Sequence, residues 1–293
     1  MFTRLRSRSI LAVAGLTAAT ALAVVGPGGS ADAAWGPYCG STIRKAGGGT
    51  WKCTFSDDFS GRSLDTTKWS PLLTSNTGVQ TPDCRIDNPD TLSVGGGYIS
   101  LSTVDTGSDF VCQGPSWSTD FTTHYQSGGI TSRNSFAQTY GRYEFRAAFP
   151  GSTSAGLHSA LWLWPKELVY GADSGELDVA EYYTGAPGRV VPTVHYDDGG
   201  LDPDKTDWHC YVANPGAFHT YAMEWTPTSL TFLYDGQTCL VDTWLSGALA
   251  KPAPFDQDFF MILNQSIGAG FNAPTEATEF PGTMKVDYVR VWK

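Results

Sequence analysis

The sequence predicts an all-β fold, a sandwich of two antiparallel sheets, and three observations support that prediction. The chain has 33 Gly and 17 Pro together with 10 Trp, 13 Tyr and 15 Phe, a composition typical of many short strands joined by turns. From Phe55 onward, short apolar stretches alternate with turn signals such as Thr81-Pro82-Asp83 and Gly95-Gly96-Gly97. No window of eleven or more residues shows the sustained apolar spacing of three and four that predicts a long amphipathic helix.

The first 33 residues have the pattern of a secretory signal peptide. Three arginines precede an apolar run, and a small-x-small cleavage signal follows it: Arg4, Arg6 and Arg8, then Ile10–Val25, then Ala31-Asp32-Ala33. The alternative is a membrane anchor, but the apolar run of 16 residues is shorter than the ~20 that a bilayer requires. We therefore expect a secreted, extracellular protein with no membrane attachment after cleavage.

Six cysteines, an even number in a chain that we expect to be exported, favour disulfides. We predict pairing between neighbours in sequence, because short loops close most easily: Cys39 with Cys53, Cys84 with Cys112, and Cys210 with Cys239. Structural zinc is disfavoured because no two cysteines have the close C-x-x-C spacing. Residues 34–54 would then be a disulfide-stapled extension, and residues 55–293 a single large β-sandwich domain.

The individual strands are predicted from runs of β-branched and aromatic residues bounded by turn residues. In chain order they are Tyr98–Val104, Ile130–Ser132, Tyr140–Phe149, Ala160–Trp164, Glu176–Tyr183, Val190–Tyr196, Phe218–Trp225, Leu230–Val241, Phe259–Ile267 and Met284–Trp292. Asp235-Gly236 predicts a hairpin turn that divides Leu230–Val241. Charged residues alternate with aromatic residues from Arg142 to Arg146, which predicts a sheet with one face in water.

The acidic charge balance excludes one class of partner. The formal net charge is −10 and the pI is about 4.8, whereas binding to nucleic acid requires a basic face. The same charge disfavours strongly sulfated polysaccharides. We expect a monomer.

A six-residue segment of one predicted strand contains three carboxylates, although its other residues are apolar and predict a buried strand. The three are Glu176, Asp178 and Glu181. Side chains alternate along a strand, so Glu176 and Asp178 share one face while Leu177 and Val179 point into the core. Glu181 would fall on the core side unless one extra residue among Val179 and Ala180 forms a β-bulge. With that bulge, the three acids share one surface.

Two carboxylates that face each other across a glycosidic bond are the usual apparatus of sugar hydrolysis. A separation of about 5 to 5.5 Å between Glu176 and Glu181 would give the retaining route, through a covalent glycosyl-enzyme intermediate. Asp178 between them would push apart the pKa values of its neighbours, because like charges at short range oppose ionisation.

Other readings of the acidic strand stay open at this point. Exposed carboxylates are commonly a solvated face, and His195 or His209 could join the acids around a metal ion. No H-E-x-x-H spacing is present, however, which disfavours the metal site. A serine hydrolase is disfavoured because the chain has no G-x-S-x-G elbow.

The segment Glu176-Leu177-Asp178-Val179-Ala180-Glu181 resembles the E-x-D-x-x-E signature of glycoside hydrolase family 16, in the bulged form typical of laminarinase-like (endo-β-1,3-glucanase) members. Further segments resemble the family in the same order over residues 55–293: Tyr140–Glu144, Ala160–Pro165, Thr193–Tyr196, Phe218–Tyr221, Glu224–Pro227, Pro254–Gln257, Ile262–Asn264 and Val286–Val291.

The resemblance implies a jelly-roll sandwich whose concave sheet forms a groove for a β-linked polysaccharide, with residues 55–293 as the catalytic domain. It implies that Glu176 is the nucleophile, Asp178 the assisting acid and Glu181 the general acid/base, with no cofactor required for catalysis. Candidate substrate-binding residues are Trp162, His195, Asn264, Gln265, Arg142 and His158. Trp162 and Trp164 lie on one face, and Leu161 and Leu163 fill the core from the other.

Two features qualify what the resemblance implies. Laminarinase-like members commonly carry Trp-Pro where this chain has His158-Ser159, and a Trp where it has Gly171, so the assignment to β-1,3-glucan is weaker than the assignment to the family. Members also often hold a structural calcium ion on the convex side, for which Asp287 would be a ligand, with Asp57 or Asp58 nearby.

The sequence therefore supports a retaining endo-β-glucanase, most directly one that cleaves β-1,3-glucan. Alternatives on the same scaffold are hydrolysis of mixed-linkage glucan or galactan, or transglycosylation. A non-catalytic sugar-binding jelly roll belongs to a different class, since fold does not fix function.

Overall fold

The computed structural model describes residues 36–78, 81–200 and 205–293, so the predicted signal peptide lies outside the described residues. The described part is almost entirely strand. Its one α-helix, α1, covers only Thr74–Thr77, and two short 3-10 turns cover Gly171–Asp173 and Gly270–Asn272. None of the described helices has the length and apolar character needed to cross a bilayer.

Sixteen strands form two sheets in this part of the chain. In chain order they are β1 Cys53–Asp57, β2 Ser70–Pro71, β3 Cys84–Arg85, β4 Leu92–Gly95, β5 Tyr98–Cys112, β6 Phe121–Ser127, β7 Gly129–Thr131, β8 Gly141–Ala148, β9 Leu157–Pro165, β10 Glu176–Tyr183, β11 Val190–His195, β12 His219–Trp225, β13 Leu230–Tyr234, β14 Gln237–Asp242, β15 Phe259–Ile267 and β16 Gly282–Trp292.

The strand order confirms the predicted sandwich. A ten-stranded sheet runs β14-β13-β12-β8-β16-β5-β6-β3, with β1 beside β16 and β4 beside β5. The six-stranded sheet, which carries the acidic segment, runs β11-β10-β9-β15-β7-β2. The pairings are antiparallel except β3 with β6, which is parallel.

The core lies between the two sheets and follows the predicted alternation of side chains. Leu161 and Leu163 on β9 and Leu177 on β10 are fully buried in it, together with Tyr143 and Phe145 from the facing sheet. Burial of side chains this large contributes about 1.5–3 kcal/mol each. The opposite face of β9 is therefore free to form a groove.

The predicted hairpin and disulfides are confirmed. Asp235 and Gly236 have φ values of 48° and 77°, the left-handed conformation that both central residues of a type I′ turn adopt. The disulfides join Cys39 to Cys53, Cys84 to Cys112 and Cys210 to Cys239.

One strand is much longer than predicted. β5 continues to Cys112, eight residues past the predicted end at Val104, and its outer half pairs with β6. Residues 106–109 are exposed and polar, and Gly107 lies among them, so this half of the strand lacks the apolar signal that identifies strands from sequence. Cross-strand pairing with β6, and the Cys84–Cys112 disulfide at the end of β5, hold it in place.

Candidate active site

A β-bulge on β10 brings the three carboxylates to one face, as the sequence predicted. Between Asp178 and Glu181, β10 has one residue more than its neighbour β11, and the same irregularity appears against β9. Val179 and Ala180 are therefore both fully buried in succession, which strict alternation would forbid. Tyr234 of the facing sheet donates a hydrogen bond of 2.9 Å to the Val179 carbonyl, so the irregular backbone has a buried partner.

Gly175 sets the start of the same strand. Its φ is +80°, and a Cβ there would lie 2.7 Å from Cε1 of Phe255. A side chain at this position would be strained and would also clash with the core. Glycine therefore allows the chain to enter β10 with Glu176 on the groove face.

Glu181 is held by three hydrogen-bonding side chains. Tyr183 donates to its Oε1 at 2.6 Å and Thr193 donates to its Oε2 at 3.0 Å. Nε2 of His158 lies 3.1 Å from the same Oε1. Burial raises the pKa of Glu181, but the hydrogen bond and charge of His158 and the hydrogen bonds from Tyr183 and Thr193 outweigh it, so the net pKa is lowered.

Glu176 and Asp178 form a buried acidic pair with His195. Nε2 of His195 lies 2.9 Å from Oδ2 of Asp178. Burial, followed by the charge of Asp178, raises the pKa of Glu176 to about 8, although His195 acts in the opposite direction. Burial, followed by the charge of Glu181, also raises the pKa of Asp178 well above its usual value. Near neutral pH the pair therefore holds a proton.

A metal ion is an alternative explanation for this triad. One ligand atom from each of Glu176, Asp178 and His195 lies within 4.8 Å of the others, the one such cluster found among the described residues. A structural zinc ion takes four protein ligands and calcium takes six to eight oxygen ligands, so three groups do not complete either site. His209, the other candidate ligand, instead contacts Asp207. The 2.9 Å contact between Nε2 of His195 and Oδ2 of Asp178 gives these two side chains a direct partner without a metal.

Trp162 and Asn264 lie in the groove beside the carboxylates. Trp162 is paired with Asp178 across β9 and β10, and its indole Nε1 donates to Oδ1 of Asn264 at 2.7 Å. Asn264 in turn donates to Ser266 at 3.0 Å. A cavity of about 140 Å³ contains these groups and the acids; its lining residues are Thr81, Arg85, His158, Ala160, Trp162, Glu176, Asp178, Glu181, Asn264 and Ser266.

Two predicted substrate contacts do not reach the groove. Gln265 is fully buried on the core face of β15, where it accepts a hydrogen bond from Ser159, because adjacent residues of a strand point to opposite faces. Arg142 lies on β8 of the other sheet and pairs with Glu144 at 2.6 Å and Glu224 at 2.7 Å. Its role is therefore in an ion-pair network outside the groove.

The residues around Asp287 do not fit the predicted calcium ion. The Asp287 carboxylate lies 2.5 Å from the guanidinium of Arg146. Asp57 accepts hydrogen bonds from the Trp69 indole and the Phe59 backbone. Among the described residues, no cluster of metal-ligating side chains includes Asp287. Calcium remains a prediction there, and it would require the cation of Arg146 to move away.

Several site residues were absent from the sequence prediction. Tyr183 and Thr193 bind Glu181, and Arg85 is a buried cation in the lining of the cavity. Tyr183 lies two residues after Glu181, and residues at that spacing in a strand share one face, so the sequence could have placed them together. Thr193 and Arg85 come from other strands, and only the register of the sheets places them here.

Aromatic rings flank the carboxylates in two groups. Trp162 and Trp164 on β9 lie 6.0 Å apart and, with the exposed Trp117, help to line a groove section of about 390 Å³. Beyond Glu181, Tyr183 stacks on Trp208 at 5.8 Å and lies 5.5 Å from Phe271. Tyr125 does not belong to either group, because it stacks on Phe280 and lies on the other sheet.

Asp178→Asn is expected to move the acid limb of the kcat/KM profile to lower pH. The charge of Asp178 is the second-largest cause of the raised pKa of Glu176, so its removal lowers that pKa and leaves Glu176 ionised in more acidic solution. A neutral amide also mimics the protonated form of Asp178. The pH dependence of kcat/KM measures the effect, and an acid limb that stays in place or moves to higher pH would show that Glu176 is not the group that must ionise.

Comparisons with known proteins agree with this geometry. The model of glycosyl hydrolases family 16 matches residues 100–290. The chain is 32% identical to glucan endo-1,3-beta-glucosidase A1 of Niallia circulans, in an alignment of 266 positions that covers 82% of this chain. It is 31% identical over 58% of its length to keratan-sulfate endo-1,4-beta-galactosidase of Sphingobacterium multivorum. It spans only 37% and 40% of the length of these two relatives.

Among solved structures, the laminarinase of Rhodothermus marinus superimposes with a TM-score of 0.67 and 27% identity, covering 83% of this chain and 97% of that one. This likeness confirms both the predicted jelly-roll sandwich and the laminarinase-like resemblance. The bulged acidic strand, the family model and the solved structure lead to one assignment: the chain belongs to glycosyl hydrolases family 16.

Proposed function

We propose that the protein is a secreted, retaining endo-β-glucanase whose substrate is β-1,3-glucan. The single observation that carries the proposal is the bulge on β10, which turns Glu181 to the face of Glu176 and Asp178. In the proposed reaction, Glu176 attacks the anomeric carbon while Glu181 protonates the leaving oxygen, and Glu181 then deprotonates the water that releases the sugar. Asp178 lies beside the nucleophile, and its charge raises the pKa of Glu176.

The shape of the groove supports an endo mode of action. Aromatic side chains lie on both sides of the acids, with Trp162 opposite Asp178 and Tyr183 beyond Glu181. Flat rings match the apolar face of a pyranose, so sugar units on both sides of the scissile bond have a surface to stack on. Because Glu181 must touch the leaving oxygen, we place the leaving-group side at Tyr183, Trp208 and Phe271.

The three disulfides support the secreted location, because such bonds persist in oxidising compartments. The disulfide joins Cys39 to Cys53, the first residue of β1, whose partner β16 is the last strand of the sandwich. We infer one catalytic domain from residue 55 to 293 with the predicted short extension at its start.

A panel of polysaccharides tests the proposal. Incubation with laminarin, lichenan, agarose, xyloglucan and a β-1,4-galactan, followed by sizing of the products, should show a rapid fall in laminarin chain length with mixed oligosaccharides. Release of only mono- or disaccharides would contradict the endo mode. No cleavage of any substrate, with retained binding to one of them, would favour the non-catalytic sugar-binding alternative.

A β-galactan is the second candidate substrate. His158 lies beside Glu181, where laminarinase-like members commonly carry tryptophan, and one relative is a galactosidase by its name. A polar ring in place of a flat apolar one favours a different sugar at that point of the groove. Preferential cleavage of the galactan in the panel would select this candidate. Oligosaccharides longer than the starting material would identify transglycosylation.

A further inference from the structure

His158 is a second titratable group in direct contact with the proposed acid/base. Its ring stacks on Tyr183 with centroids 4.5 Å apart and planes 12° from parallel, and the two residues are register partners on β9 and β10. This stacking aims Nε2 at Oε1 of Glu181, 3.1 Å away. The side chain is about one-fifth exposed, so the ring is fixed by its neighbours yet remains in contact with the groove.

The hydrogen bonds around Glu181 oppose its protonation, which a general acid requires. Hydrogen bonds from Tyr183 and Thr193 go to both of its oxygens and stabilise the carboxylate over the carboxylic acid. A general acid, however, must carry a proton when the substrate binds. A proton held next to Glu181 would resolve the difficulty, and the imidazole of His158 is the group placed to hold it.

We propose that His158 and Glu181 share one proton and act together as the acid/base of the reaction, with His158 as a positioning residue that works through Glu181. The inference rests on the proposed function. In the resting enzyme, protonated His158 donates to ionised Glu181. The same proton can move to Glu181, which leaves His158 neutral.

The proton balance closes over both steps of the reaction. The form with the proton on Glu181 gives it to the leaving oxygen as the glycosidic C–O bond breaks and Glu176 bonds to the anomeric carbon. The His158–Glu181 pair is then unprotonated. In the second step Glu181 takes a proton from water, the water oxygen bonds to the anomeric carbon, and the bond to Glu176 breaks. The pair again holds one proton.

Charged and titratable groups surround the His158–Glu181 pair. Glu176, Asp178 and Glu181 on β10 and Arg85 on β3 line the same cavity as His158. Tyr183 stacks on the His158 ring, and His195 on β11 contacts Asp178. Burial and the adjacent Glu181 raise the pKa of Tyr183, so it remains a neutral donor. Arg85 places a guanidinium in the same lining as the three carboxyl groups.

The direction in which the basic limb of kcat/KM moves follows from the proton that His158 and Glu181 share. A pair that can hold one proton at either of two sites loses it at a higher pH than either site does alone. Replacing His158 leaves Glu181 as the only site. The basic limb of kcat/KM should therefore move to lower pH in His158→Gln, which cannot ionise, and in His158→Trp, which restores the residue common in laminarinase-like members.

The experiment compares two substrates in wild type, His158→Gln and His158→Trp. One is the polysaccharide cleaved by the wild-type enzyme, and the other is an aryl β-glycoside of the same sugar with a dinitrophenolate leaving group, which departs without protonation. We expect kcat/KM near neutral pH to fall by about 10-fold or more on the polysaccharide, a part of the 10²–10⁴ that acid–base catalysis supplies. The first step on the aryl glycoside, followed by phenolate release, should change by less than about threefold.

His219→Gln is the matched control. His219 also pairs with a carboxylate, Asp235 at 2.6 Å, but lies on β12 of the other sheet. Its pH profile should equal that of the wild type. Equal losses on both substrates in the His158 variants, or an unmoved basic limb, would overturn the inference. Failure of the proposed function itself looks different, because the wild-type enzyme would then cleave neither substrate.

Discussion

Glu176→Gln is expected to reduce kcat/KM for the cleaved polysaccharide by about 10⁴- to 10⁶-fold, the loss that follows removal of a catalytic nucleophile. The amide has nearly the same shape as the carboxylate, but it cannot form the bond to the anomeric carbon. Affinity for the polysaccharide should persist, because the stacking surfaces of Trp162 and Tyr183 are unchanged. Steady-state kinetics and binding isotherms measure the two quantities separately.

Rescue by azide supplies the control for Glu176. In Glu176→Ala, the space left by the side chain should admit azide, which attacks an activated aryl β-glycoside from the side of the missing carboxylate and gives the α-glycosyl azide. Wild-type activity in Glu176→Gln would refute the nucleophile assignment. Loss of both activity and polysaccharide binding would indicate a damaged groove. An unchanged thermal unfolding temperature would show that the variant is folded as the wild type is.

Glu181→Ala is expected to lower kcat/KM for the polysaccharide by about 10²- to 10⁴-fold, the usual contribution of general acid–base catalysis. A poor leaving group such as a sugar alkoxide needs the proton that Glu181 delivers. An aryl β-glycoside with a dinitrophenolate leaving group does not need it, so its first step should remain fast. Stopped-flow release of the phenolate should show a burst, because breakdown of the intermediate now lacks its base.

Azide should rescue the second step in Glu181→Ala with the opposite stereochemistry. Here it attacks the glycosyl-enzyme intermediate from the side that water normally uses, and the product is the β-glycosyl azide. The same anomer from the Glu176 and Glu181 variants would contradict the assignment of separate roles. A variant with equal losses on the polysaccharide and the aryl glycoside would show that Glu181 does not act on the leaving oxygen.

The acidic strand is the part of the site that the sequence could predict in most detail. Strand alternation alone places Glu181 on the wrong face, and a single extra residue is the smallest change that corrects it. The structure has that bulge, with Val179 and Ala180 both buried. The two faces of β9 were predictable for the same reason, with Leu161 and Leu163 inside and Trp162 in the groove.

Gln265 and Arg142, two predicted substrate contacts, lie outside the groove for physical reasons. Asn264 and Gln265 are adjacent in one strand, so only one of them could face the groove, and the burial of Gln265 shows which. The charged pattern around Arg142 predicts a face in water, but Arg142 and Glu144 are only 8% and 9% exposed, because Arg142 pairs with Glu144 and Glu224. The pattern also does not say to which of the two sheets the strand belongs. That decision depends on long-range pairing.

The side-chain contacts that neighbouring strands make with Glu181 could not be predicted from the sequence, because they also depend on long-range strand pairing. Thr193 reaches Glu181 because β11 and β10 pair in a register that the bulge shifts by one residue. His158 reaches the same carboxylate from β9, where it replaces an expected aromatic residue. The sequence identified His158 as a departure from the family pattern, and the structure adds that this departure touches the proposed acid/base.

The measurement that tests the central claim most directly is the anomeric configuration of the first product. Proton NMR spectra recorded within the first turnovers, before mutarotation, follow the new reducing end. If the bulge places Glu176 and Glu181 for a double displacement, the first signal belongs to the β-anomer and the α-anomer appears later. An α-anomer formed first would contradict the account, since it requires direct attack by water and no bond to Glu176.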